Sequence, residues 1–110
     1  MVVPEQRVEK AMSFLAETDL EVAEWKGAVL RTEFLAKSAE ALAYKAMGSE
    51  GSVEDRKQAT RLDENVKKAW DEHFKAVVQH ERLKARRERE VLVIELWRSV
   101  NANRRAGNLQ

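Results

Sequence analysis

Gly48-Ser49-Glu50-Gly51-Ser52 holds two of the four glycines in a chain of 110 residues, and it separates two long stretches in which Gly27 is the one internal breaker. Two glycines this close supply backbone angles that end a helix. Ser52, followed by Val53-Glu54-Asp55, has the pattern of a cap that starts the next one. The stretch therefore reads as the turn of a helical hairpin, and the remaining sequence is organised on either side of it.

Upstream, Pro4 suits the first turn of a helix, where its missing amide hydrogen is no loss, and Glu5 favours the positive end of the helix dipole. Nothing from Val8 to Met47 stops that helix, since a single glycine at position 27 is tolerated. A helix over about 5–47 follows, roughly 65 Å long at 1.5 Å per residue. Its apolar residues read as two stripes, Val8, Met12, Leu15, Val22 and Val29, then Ala28, Leu35, Ala39, Leu42 and Ala46 at near-heptad spacing. Trp25 and Phe34 lie beside them.

Downstream of the turn, a short helix of about 53–60 is expected. A break follows near 60–63, where Thr60-Arg61-Leu62-Asp63 matches the Ser/Thr-x-x-Asp/Glu start pattern. A long helix then covers about 63–105, with residues 106–110 fraying. Its apolar positions are Val66, Ala69, Trp70, Phe74 and Val77 early, and Val91, Leu92, Ile94 and Trp97 late. The fold class is thus all-α, one domain made of a long antiparallel, coiled-coil-like hairpin with a short helix after the turn.

Folding the chain back at the turn sets residue i opposite roughly residue 110 − i. The alanines at 36, 39, 41, 43 and 46 then face Trp70 and Phe74, small against large. The acidic run Glu17, Asp19, Glu21 and Glu24 faces Arg86, Arg87 and Arg89. A lone hairpin of this length leaves part of each apolar stripe in water, so association of copies into a helical bundle, most simply a homodimer, is expected.

Composition narrows the function. Charged residues are 35% of the chain and the net charge is +1, so bulk charge alone does not call for nucleic acid or an acidic membrane. The distribution is uneven: residues 1–47 carry −2, residues 48–78 carry −1 and residues 79–110 carry +4. The absence of cysteine removes disulfides and thiolate chemistry. The opening Met-Val-Val-Pro-Glu-Gln-Arg has no signal-peptide apolar run, and no stretch reaches the ~20 apolar residues of a membrane span. A cytoplasmic, non-membrane protein is the expectation.

Candidate contacts lie in the basic half. Arg86, Arg87 and Arg89, with Arg82 and Lys84, form the densest cation cluster, interrupted by Glu81, Glu88 and Glu90 close enough for local pairing. Trp97, Arg98, Arg104 and Arg105 form a cleaner set, because no acid follows Glu95. Those last cations also stand where they stabilise the negative end of a helix. His73 and His80 are seven apart, too far to hold one ion without other ligands, and no Glu-x-x-His pattern occurs. The carboxylates read as solvated helix faces, so neither an enzyme nor a cofactor is indicated.

Ala43-Tyr44-Lys45-Ala46, Ser49-Glu50-Gly51-Ser52-Val53-Glu54-Asp55-Arg56, Leu83-Lys84-Ala85-Arg86-Arg87-Glu88-Arg89, Ile94-Glu95-Leu96-Trp97-Arg98-Ser99 and Asn103-Arg104-Arg105 together resemble small, uncharacterised helical proteins of tailed bacteriophages and prophages. The likeness covers roughly residues 40–105. It implies an accessory factor associated with phage DNA recombination or replication, binding a partner protein or DNA. Direct nucleic-acid binding as the main activity, and a virion structural or assembly-chaperone role, are the alternatives.

Overall fold

The computed structural model describes residues 3–108, which form three helices: α1 (Glu5–Ala46), α2 (Val53–Leu62) and α3 (Glu64–Asn108). No strand occurs among the described residues. The all-α hairpin is therefore the fold. The boundaries near the turn follow the glycines: Gly48 and Gly51 take φ of 64° and 79°, angles that any residue with a Cβ adopts only at a cost. Ser52 Oγ then accepts a hydrogen bond from the Asp55 amide at 3.0 Å and caps α2.

The break between α2 and α3 falls where expected, with a different residue as its cap. Asp63 Oδ1 accepts from the amides of Asn65 (2.9 Å) and Val66 (3.2 Å) and starts α3. The Thr60 hydroxyl instead donates back to the Arg56 carbonyl at 2.8 Å, and its side chain is buried beside Met47 Sδ. At the other end α3 runs on through Asn108 rather than fraying from residue 106; residues 109 and 110 lie outside the described residues.

Contacts divide the chain into two units, Glu24–His80 and the described parts of Met1–Ala23 with Glu81–Gln110. In the second of these the residues withdrawn from solvent include a regular run of Val8, Ala11, Leu15, Thr18 and Val22 on α1, and Leu83, Arg87, Glu90, Ile94 and Trp97 on α3. In the Glu24–His80 unit the corresponding run is Trp25, Val29, Thr32, Ala36, Ala39 and Ala43 on α1, and Val66, Ala69, His73, Ala76 and His80 on α3, with half-buried neighbours such as Ala28, Glu40, Trp70 and Val77 flanking it. Every step alternates three and four residues, the spacing of a two-stranded coiled-coil seam.

Two polar layers fix how the strands of each seam are aligned. In one unit Arg87 Nη1 donates to Thr18 Oγ1 at 2.6 Å, while Thr18 Oγ1 donates to the Phe14 carbonyl. In the other, Thr32 Oγ1 donates to the Ala28 carbonyl at 2.7 Å and lies 3.0 Å from His73 Nδ1. With the single hydroxyl proton directed to the Ala28 carbonyl, Thr32 Oγ1 is left to accept from His73 Nδ1 in the tautomer that carries a proton there. The two partners' numbers add to 105 in both layers, so the register is offset by five from a simple fold-back at 110 − i.

That offset changes which residues meet. Ala36 and Ala39 belong to the seam, but the observed register sets them against Ala69 and Val66 rather than Trp70 and Phe74. Trp70 sits at the seam's edge, where its Nε1 donates to Glu40. The two apolar stripes of α1 also resolve differently. Val8, Leu15, Val22 and Val29 are seam residues, whereas Leu42, from the other stripe, is 71% exposed.

Candidate functional site

The Arg-rich segment and the end of α3 both lie in the unit built from the start of α1 and the second half of α3. Helix periodicity divides their cations between seam and surface. Arg87 occupies a seam position, and its guanidinium donates to the Leu15 carbonyl (2.8 Å), Thr18 Oγ1 and Asp19 Oδ1 (3.1 Å). Its side chain is 19% exposed. Arg86, one position back, is exposed and lays its guanidinium over the Phe14 ring, 4.1 Å from the centroid, a cation–π contact of modest strength at such a site. Arg89 is exposed.

Of the acidic run expected to face these arginines, Asp19 supplies the ion pair to Arg87. A stronger pair joins Glu90, expected from the sequence to pair locally within its own helix, to Arg7, which the sequence did not single out. Arg7 forks onto Glu90 through two bonds of 2.6 and 2.8 Å. The hydrogen bond from Arg7, helped by its charge and by those of Arg86 and Arg89, holds the Glu90 carboxyl below the ordinary glutamate value, and Arg7 is correspondingly raised. The only signal for it was charge at two positions that a heptad template assigns to the seam or its margin.

Beyond Glu90 the character changes. Ile94 and Trp97 are half-buried and line a shallow groove with Val8, Met12, Glu5, Glu9 and Arg98. Val8 and Trp97 also satisfy the 105 register, which explains why the indole is placed there. Arg98, Arg104 and Arg105 are exposed on the remaining turns of α3. A second apolar groove in the same unit lies between Leu15, Val22, Val91 and Leu92, edged by Lys84, Glu88 and Glu95.

Among the described residues no group of three or more His, Asp or Glu is placed to hold a metal ion. His73 is buried in the other unit, edge-on to Trp70 with 5.5 Å between ring centroids, and His80 is half-buried in the same seam. No described helix is long and apolar enough to cross a membrane.

These features define the protein as an antiparallel coiled-coil hairpin with a polar, register-setting seam and a basic helix end. No family model, no curated protein and no solved structure matches the chain.

Proposed function

We propose that the protein is a non-enzymatic helical adaptor that binds DNA or a partner protein through the basic end of α3. Its setting would be the cytoplasm of a host cell, in recombination or replication of a tailed phage or prophage. The observation that carries this reading is the exposure of Arg98, Arg104 and Arg105 on helix turns that contain no acid after Glu95, next to the groove under Trp97. Arg89, nine residues before Arg98, is exposed on the other side of α3. Arg86 is tethered to Phe14, and Arg87 is committed to the seam, so both contribute charge more than reach. The resemblance to small helical phage proteins supplies the link to DNA metabolism.

The test is binding of the full chain to single- and double-stranded DNA at about 50 and about 200 mM salt. If roughly four phosphates are neutralised, affinity falls on the order of a hundredfold across that range. A partner protein held in the apolar groove would give a contact that changes little with salt. Failure of the Arg98→Ala, Arg104→Ala, Arg105→Ala triple variant to weaken any interaction of the wild-type chain would reject the reading.

A further inference from the structure

The short helix α2 lies against the end of α1, and the two border an open groove of about 530 Å³ within the Glu24–His80 unit. Lys37, Glu40 and Tyr44 line it from α1, and Lys57 and Arg61 from α2. Arg56 holds the two helices together. Its Nη1 donates to the Gly48 carbonyl at 2.9 Å, and its guanidinium lies 5.2 Å from the centre of the Tyr44 ring. The groove is therefore formed before anything enters it, at a volume usual for small-molecule sites.

Charge in the groove is one-sided. Lys57 and Arg61 stand four apart on one face of α2, where like charges oppose the helix. Neither makes an ion pair or a side-chain hydrogen bond among the described residues. Arg61, in the last turn, favours the negative end of α2, but Lys57 in its middle has no such role. The acids close in sequence are engaged elsewhere: Glu40 with Trp70 Nε1, Asp63 with the first amides of α3, and Glu64 with Lys67 at 3.6 Å. Glu54 and Asp55 stand in the first turn of α2, at its positive end. Lys37 pairs with Glu33 at 3.1 Å but is 65% exposed, and such a pair holds it weakly.

We propose that this groove binds a small phosphorylated anion carrying two or more negative charges. Arg61 presents a planar fork that matches two phosphate oxygens, Lys37 and Lys57 supply mobile point charges, and Tyr44 supplies a hydroxyl. Glu40 is the one acid lining the groove, on the α1 side, so the phosphoryl charge belongs beside Lys57 and Arg61. Cations drawn from two helices around a hollow fit a compact ligand, whereas a nucleic-acid backbone is tracked by cations spread along a surface. The site shares no residue with Arg98, Arg104 and Arg105, so this inference and the DNA or partner reading stand or fall separately.

Isothermal titration of the full chain with inorganic pyrophosphate, at an ionic strength held near about 0.1 M, tests it. One equivalent should bind with Kd below about 1 mM. Lys57→Ala with Arg61→Ala should raise Kd at least about tenfold. Arg31→Ala with Lys68→Ala removes the same charge from exposed positions outside the groove and should change Kd less than about twofold. Both variants should keep their helical circular dichroism; if the first loses helix, Lys57→Gln with Arg61→Gln takes its place under the same criterion. No binding at about 5 mM pyrophosphate, a smaller loss in the Lys57/Arg61 variant, or a larger one in the Arg31/Lys68 variant would each overturn the proposal. So would a short DNA duplex whose affinity falls in the Lys57/Arg61 variant as far as that of pyrophosphate, because the two cations would then belong to a DNA surface.

Discussion

Replacing Arg87 separates structural cations from binding cations. Arg87→Ala removes a guanidinium that donates to Thr18 Oγ1, the Leu15 carbonyl and Asp19. Hydrogen bonds to charged groups contribute about 1.5–3 kcal/mol each, more when truncation leaves a buried orphan. No orphan is left here, because Thr18 Oγ1 still donates to the Phe14 carbonyl at 2.7 Å. Asp19 is 79% exposed, so its pair adds little, about 0–1 kcal/mol. With the packing of the arginine stem included, the loss should be about 2 kcal/mol. Arg87→Leu keeps an apolar stem in the seam and should stay within about 1 kcal/mol of wild type, as replacements of desolvated ions by hydrophobic residues often do. Thr18→Val combined with Arg87→Ala should show about 1 kcal/mol of coupling. Urea unfolding followed at 222 nm, at one fixed protein concentration, measures all of these. An Arg87→Ala variant within about 0.5 kcal/mol of wild type would refute the seam role.

Thr32→Val removes the acceptor of His73 Nδ1 in the corresponding layer of the other unit and should cost about 1–2 kcal/mol in the same assay. Glu90→Gln should destabilise most at neutral pH. The Glu90 carboxyl is held below its ordinary 4.5, so its ion pair is fully present above that value and is lost as pH falls through the lower folded value. Wild type and Glu90→Gln should therefore converge in stability in acid; a gap that stays constant down to pH 3 would contradict the pairing with Arg7. Gly48→Ala, at φ of 64° with open space around the added Cβ, should cost about 1 kcal/mol from backbone strain alone. Arg104→Ala with Arg105→Ala should leave thermal stability unchanged, because both side chains are exposed, while reducing DNA or partner binding.

The helices were legible because breakers are rare and local. Gly48, Gly51 and Ser52 marked the turn, Pro4 marked the start, and each acts through its own backbone or side chain. The seam was harder to read because its positions hold Thr18, Thr32, His73, Arg87 and Glu90, which a hydrophobicity pattern passes over, and alanines that it weights lightly. Leu35 and Leu42 attracted the pattern instead, one position short of Ala36 and Ala43. The register slipped for a related reason. The chain does not fold back at a point midway along its length: α2 intervenes between α1 and α3, and the Thr18–Arg87 and Thr32–His73 seam pairs centre on Ser52 and Val53 rather than Asp55. In the candidate site, the charge count found the acid-free end of α3, since composition alone defines it. It could not tell Arg87 from Arg89, because that distinction depends on which side of the helix meets α1.

Thiol crosslinking most directly tests the proposition that the two long helices of one chain align with partner numbers adding to 105. The chain has no cysteine, so a pair introduced as Val29→Cys and Ala76→Cys is the only target for a short bifunctional reagent. The account predicts rapid crosslinking within a single chain at low protein concentration, and much slower reaction when Glu81→Cys replaces Ala76→Cys. Preferred crosslinking of the 29/81 pair, or product formed only between chains, would contradict it.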